Sequence, residues 1–132
     1  MKLLGTFKSL SRFTPFMPTL FQSRVYALLK EIPAGKVTTY KILAQALGGK
    51  GYRAIGRACR ENPFFPKVPC HRVVRHDGSL GGYQGKLKHP QKLYLLQAEG
   101  IPIAGWKIQN FKKYVFTFLE NKISDRLLNF IK

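Results

Sequence analysis

The tetrapeptide Gly48-Gly49-Lys50-Gly51 constrains the fold of this chain more than any other stretch, because it separates two segments that both read as helix. Before it, Tyr40, Leu43, Ala44 and Leu47 follow the i, i+3, i+4, i+7 spacing of an amphipathic helix that Thr38 or Thr39 can cap. After it, a helix is predicted from about Tyr52 to Asn62, where Asn62-Pro63 stops it, since proline disfavours a helical residue before it. An earlier core helix is marked by Phe21, Val25, Leu28, Leu29 and Ile32, with Ser23 near its first turn and Pro33-Ala34-Gly35 at its end. Helix, glycine-rich turn and helix make a helix-turn-helix, whose second helix commonly enters a groove of a duplex.

That second helix has two unlike sides. Ile55, Ala58 and Cys59 share one, while Arg53, Arg57 and Arg60 recur at i, i+4, i+7 on the other with Gly56 between them. Glycine costs about 1 kcal/mol relative to alanine inside a helix, which makes sense where a sugar-phosphate backbone must come close. Cys59, on the apolar side, reads as core. Lys and Arg outnumber Asp and Glu by 23 to 6, and a net charge of +17 on 132 residues points to a polyanionic partner, nucleic acid first and an anionic membrane surface second. Hydrophobic content of 45% is ordinary for one globular domain. Two cysteines give neither a disulfide framework nor Cys-x-x-Cys zinc spacing. Lys8, Arg12, Pro15 and Pro18 interrupt any leader-like apolar core after Met1-Lys2-Leu3-Leu4, and no run approaches the ~20 apolar residues of a membrane span. An intracellular location, where thiols stay reduced, is expected.

Pro69-Cys70-His71-Arg72-Val73-Val74 sets a thiol beside an imidazole. A thiolate is a strong nucleophile, and a cysteine with a pKa of about 8.5 needs a base or a positive field to supply one at neutral pH. Neighbours on a regular strand point to opposite faces, so Cys70 and His71 cooperate only if Pro69 bends the chain or a water bridges the side chains. Val68 and Val73-Val74 are β-type flanks, Asp77-Gly78 is a turn, and Gly81, Gly82 and Gly85 can admit a flat ligand close to the backbone. Lys92 to Glu99 reads as helix, with Leu93 and Leu96 on one side. Residues 1–19 read as an irregular lead-in and 20–101 as the main domain. In 102–132, Phe111, Val115, Phe118, Leu119, Ile123, Leu127, Phe130 and Ile131 suggest one or two amphipathic helices packing on it, with a membrane-surface role as the less favoured use of the same residues. The expected class is mainly α with a small β element, a helix-turn-helix of winged-helix-like kind.

In order along the chain stand Gly35-Lys36-Val37-Thr38-Thr39-Tyr40, Leu43-Ala44, Arg53-Ala54-Ile55-Gly56, Asn62-Pro63, the Pro69–Val74 hexapeptide, Gly78, Gly81-Gly82-Tyr83, Leu95-Leu96 and Glu99-Gly100. With these motifs, Leu20 to Ile101 resembles the catalytic, DNA-binding domain of the O6-alkylguanine-DNA alkyltransferases, which move an alkyl group from guanine onto their own cysteine. The resemblance implies single-turnover transfer to Cys70 through a Glu99–His71–water–Cys70 relay, without metal or cofactor. It implies that Tyr40 helps rotate the phosphate and protonate the leaving base, and that Arg53 fills the gap left by an extruded base. Ala54, Gly56, Arg57 and Arg60 share the DNA-facing helix, Asn62 is a hinge to the segment of Pro69 and Val73, and Tyr83, Gln84 and Gly85 line the guanine pocket. The implied partner is double-stranded DNA containing O6-alkylguanine, bound by a monomer. Departures are Gln84 where a small hydroxyl residue is common, Lys86 where glycine is common, a longer Leu87–Leu95 stretch, and no preceding domain. In length the chain is similar to the alkyltransferase-like damage sensors that lack the nucleophile. A non-catalytic sensor or DNA-binding regulator is therefore the alternative.

Overall fold

The computed structural model describes residues 17–49 and 51–118. Helix α1, Leu20–Glu31, starts at Thr19, whose hydroxyl accepts from Gln22 N while the Gln22 side chain accepts from Thr19 N. This reciprocal capping box satisfies two orphan donors, and it assigns the cap to Thr19 rather than to the region of Ser23. Strand β1, Thr38–Thr39, runs directly into α2, Tyr40–Ala46, where Thr39 Oγ1 accepts from Ile42 N. Gly51 begins α3, Tyr52–Arg60, at φ 103°, and a Cβ there would sit 3.1 Å from Phe21 Cζ. Both facts call for glycine. The helix ends at Arg60, two residues earlier than its sequence suggests, because Asn62 turns its side chain to the following loop. Ile55, Ala58 and Cys59 are buried on one side of α3, and Tyr26 Oη donates to Ala58 O at 2.8 Å to tie α1 to it.

Cys70–Arg72 forms one 3₁₀ turn, followed by β2, Val73–Val74, which pairs in parallel with β1 in the register Thr38↔Val73 and Thr39↔Val74. Side chains alternate along a strand, so Val73 enters the cluster of Leu29, Leu43, Ile55 and Phe118, while Val74 enters that of Val37, Leu80, Leu96 and Ile108. Strands β3, Gly82–Tyr83, and β4, Lys86–Leu87, form a hairpin whose two turn residues, Gln84 and Gly85, take φ 51° and 79°. Two successive left-handed residues are what a type I′ turn requires. Helix α4, Pro90–Ala98, starts two residues before the expected Lys92, with His89 as cap and Pro90 at the first position.

Beyond Ile101 the chain makes an antiparallel hairpin of β5, Ile103–Ala104, and β6, Lys107–Ile108, then a single helical turn, α5, Phe111–Tyr114. Helical periodicity from Phe111 onward thus overstates the helix among the described residues. Val115 and Phe116 are extended because Val37 engages them, with Val37 N donating to Tyr114 O at 2.9 Å and Phe116 N to Val37 O at 2.7 Å. Phe118 is fully buried. Leu119, Ile123, Leu127, Phe130 and Ile131, like residues 1–16, lie outside the described residues. The architecture is mainly α with small two-stranded sheets.

Candidate functional site

Pro69 sets the direction of the cysteine. At φ −83° and ψ 71° it forms an inverse γ-turn, closed by Cys70 N donating to Val68 O at 2.9 Å, and the bend leads into the 3₁₀ turn. Cys70 and His71 are therefore not on a regular strand, and both are buried. The β1–β2 pairing brings the start of α2 beside the cysteine turn, so Tyr40 and Cys70 border the same cavity of about 170 Å³. Gly56, Cys59 and Arg60 of α3 form a second wall, and Gly82 to Gly85 of the hairpin a third. Cys59 thus serves both the core and the pocket.

The cysteine is protonated at rest: burial pushes its thiol above the ordinary range, against a hydrogen bond from Asn62 and the charge of Lys92. A base lies next to it in sequence. His71 Nε2 is 2.8 Å from Glu99 Oε2, and Glu99 also accepts from Arg72 Nη2 at 2.8 Å and Nε at 3.0 Å. Burial works against ionising Glu99, but the bonds from Arg72 and His71 outweigh it and hold the carboxyl below its usual range. An ionised carboxylate only accepts, so Nε2 carries the imidazole proton and Nδ1 keeps its lone pair. Nδ1 is buried and has no hydrogen-bond partner among the described groups. Burial lowers the His71 pKa more than Glu99 raises it, so the ring is neutral near pH 7. The pair is a resting thiol with a neutral base of fixed tautomer. Tyr40 keeps its proton as well, since burial raises its pKa.

Arg53, Ala54, Arg57 and Arg60 are exposed on α3, with Gly56 between them. A Cβ on Gly56 would meet nothing within 4 Å, so the helix is open at that point. Arg57 is paired with Glu61 at 2.9 Å, which compensates part of its charge. Arg60 reaches the hairpin, where a Cβ on Gly85 would stand 3.2 Å from Arg60 Cδ. Asn62 Nδ2 donates to Val68 O at 2.8 Å and its Oδ1 accepts from Phe64 N, so it joins the end of α3 to the loop before Cys70. Tyr83 is buried, while Gln84 and Gly85 form the exposed hairpin tip. Sequence reasoning missed Lys92. It is 1% exposed, and its ammonium donates to the carbonyls of Val73, Leu80 and Gly82. The signal was a lysine four residues before the buried Leu96 on the core side of α4.

Residues 20–101 match the family described as 6-O-methylguanine DNA methyltransferase, DNA binding domain. This chain belongs to that family. A methylated-DNA–protein-cysteine methyltransferase of Methanothermobacter thermautotrophicus is 42% identical over 87 residues, covering 66% of this chain and 48% of the relative. A DNA base-flipping protein of Thermus thermophilus is 44% identical over 77 residues, covering 58% of this chain and 50% of the relative. The chain spans about half the length of these curated relatives. The solved structure of S. pombe Atl1 in complex with damaged DNA containing O6-carboxymethylguanine superposes with a TM-score of 0.63 at 27% identity, covering 74% of this chain and 94% of that one. Among the described residues there is no group of three or more metal-ligating side chains, and no helix is long and apolar enough to cross a membrane.

Proposed function

We propose that this chain repairs duplex DNA by taking the alkyl group of O6-alkylguanine onto Cys70, once per molecule. The observation that carries the reading is the buried Cys70 bordering a cavity beside the arginine face of α3, next to an imidazole with a free Nδ1. The family and the named activity of its relatives support it. The base is extruded from the stack at a cost of a few kcal/mol, with Arg53 filling its place and phosphates held by the arginine face. His71 Nδ1 takes the thiol proton through one water while the Glu99 carboxylate, held in place by Arg72, balances the imidazolium. The sulfur then attacks the alkyl carbon in line. A C–S bond forms, the carbon–O6 bond breaks, and its electron pair leaves with guanine, which takes a proton from the neutral phenol of Tyr40. The product thioether resists hydrolysis, so no second turnover follows.

Intact-mass measurement after mixing with a duplex containing O6-methylguanine tests this. One added methylene mass (hydrogen replaced by methyl) mapped to Cys70, and lost in Cys70→Ala, is the expected result. The likeness to a DNA base-flipping protein makes binding without transfer the rival. Tight retention of the damaged duplex with no mass change would establish that rival.

A further inference from the structure

Helix α3 leaves one large apolar side chain in solvent. Ile55 and Cys59 are buried, whereas Tyr52, the first residue of the helix, keeps 52% of its surface exposed. A solitary exposed aromatic is ordinary on a protein surface, but this one stands among the exposed Arg53, Arg57 and Arg60 and immediately before the residue assigned to the gap in the stack. Positions 52, 56 and 60 fall four apart and make one stripe of the helix, and on that stripe Gly56 and Arg60 border the Cys70 cavity. Arg53 projects about 100° further round, so Tyr52 lies on the pocket side of it, one turn before Gly56. The backbone that carries the ring is held firmly. Ile55 N donates to Gly51 O at 2.7 Å, and Gly51 packs so closely on α1 that an added Cβ would stand 3.1 Å from Phe21 Cζ. The arginines draw phosphates to this face, which brings the bases between them to the ring.

We infer that Tyr52 is a positioning residue for base extrusion: its ring stacks beside Arg53 on the base pair left open when the damaged base leaves the duplex. The guanidinium fills the gap with charge, and the ring supplies the flat apolar contact that the departed base had made with its neighbour. Tyrosine suits this border because its body is apolar and its hydroxyl can stay wet. Aromatic wedges of this kind hold a duplex partly unstacked, and stacking on a ring is tolerant of which base it meets, so the neighbouring sequence goes unread. Gly56 leaves the helix open between the ring and the cavity, since a Cβ there would meet nothing within 4 Å. The inference rests on base extrusion, which methyl transfer and its rival, binding without transfer, both require.

The test compares methyl transfer from O6-methylguanine in a duplex and in the same single strand, for wild type, Tyr52→Ala and Tyr52→Phe. Tyr52→Ala should slow transfer on the duplex by about tenfold or more, the usual worth of one base–aromatic stack, and leave the single strand within about twofold of wild type. Tyr52→Phe keeps the ring and should match wild type on both. Three results overturn the inference: wild-type transfer on duplex by Tyr52→Ala, equal losses on the two substrates, or a Tyr52→Phe as slow as Tyr52→Ala. A second measurement needs no transfer. The indole introduced by Tyr52→Trp should lose at least half of its emission on a duplex containing O6-methylguanine and far less on the undamaged duplex, beyond the change that Trp106 alone reports in wild type. Emission unchanged by the damaged duplex overturns the proposal. Quenching by damaged duplex in a protein that gains no methyl mass would defeat the transfer reading alone, and full methyl transfer with an unquenched indole would defeat the Tyr52 role alone.

Discussion

Glu99→Gln changes one oxygen to an amide and little else in volume, yet it should disable His71. Glutamine can donate to Nε2, which moves the ring proton to Nδ1 and removes the lone pair that receives the thiol proton. Methyl transfer from damaged duplex should slow by about 10²–10⁴-fold, the usual worth of a general base, while affinity for duplex is unchanged. Single-turnover quench-flow with a parallel binding titration checks this, and equal losses in both would point to a damaged fold. The same residues predict acid sensitivity. His71 has a folded pKa below its ordinary 6.5, so the unfolded chain takes up a proton first, and the stability His71 contributes above that value is lost as pH falls through its lowered folded value. Glu99 acts in the same direction at lower pH, because its contribution is present above about 4.5 and is lost as pH falls through its lowered folded pKa. The urea midpoint should therefore fall between pH 7.5 and 5, and fall less in His71→Asn. Cys70, His71 and Glu99 were legible in sequence through resemblance. Arg72 as the second partner of Glu99 was not, because only the fold brings the helix end at Glu99 to the cysteine turn.

On α3 the arginines are not equivalent. Arg57 shares its charge with Glu61, whereas among the described residues no carboxylate is paired with Arg53. Arg53→Ala should reduce the log–log salt slope of duplex binding by about 1, as for one phosphate contact, and Arg57→Ala should reduce it by less. Equal slopes for the two variants, from titrations at several salt concentrations, would mean that the Arg57–Glu61 pair dissolves on DNA. In the hairpin, Gly85→Ala should destabilise by about 1–2 kcal/mol, since φ 79° is unfavourable for any residue with a Cβ and Arg60 Cδ stands 3.2 Å from where that atom would lie. Thermal melts measure it. Helix existence was readable from apolar spacing and from the Gly48–Gly51 break, since those signals are local. The ends were less so: Thr19 and Asn62 act through side-chain bonds that spacing does not report. The buried position of Lys92 was equally hidden, because its carbonyl partners come from 10 to 19 residues away.

At the scale of the whole molecule, the family match ends at residue 101 but the core does not. Phe118 is fully buried in the cluster formed by α1, α2 and α3, and it meets Phe116 edge to face at 5.2 Å between ring centroids. The chain reaches that position because Val37 takes both Tyr114 O and Phe116 N as backbone partners. Val37 in turn leads into β1, whose pairing with β2 aligns Tyr40 with the cysteine turn. We propose on these contacts that the segment after Ile101 is an integral part of the folded unit. Phe118→Ala should then cost about 3–5 kcal/mol, the range for removing a buried phenylalanine. It should also slow methyl transfer in proportion to the unfolded fraction, with the rate per folded molecule unchanged. A chain ending at Ile101 loses the Val37 bridge and Phe118 together, and should show a non-cooperative urea transition with little bound duplex. If that shorter chain instead unfolds cooperatively at the wild-type midpoint and accepts a methyl group at the wild-type rate, the later segment is an accessory, and the boundary of the functional unit coincides with that of the family.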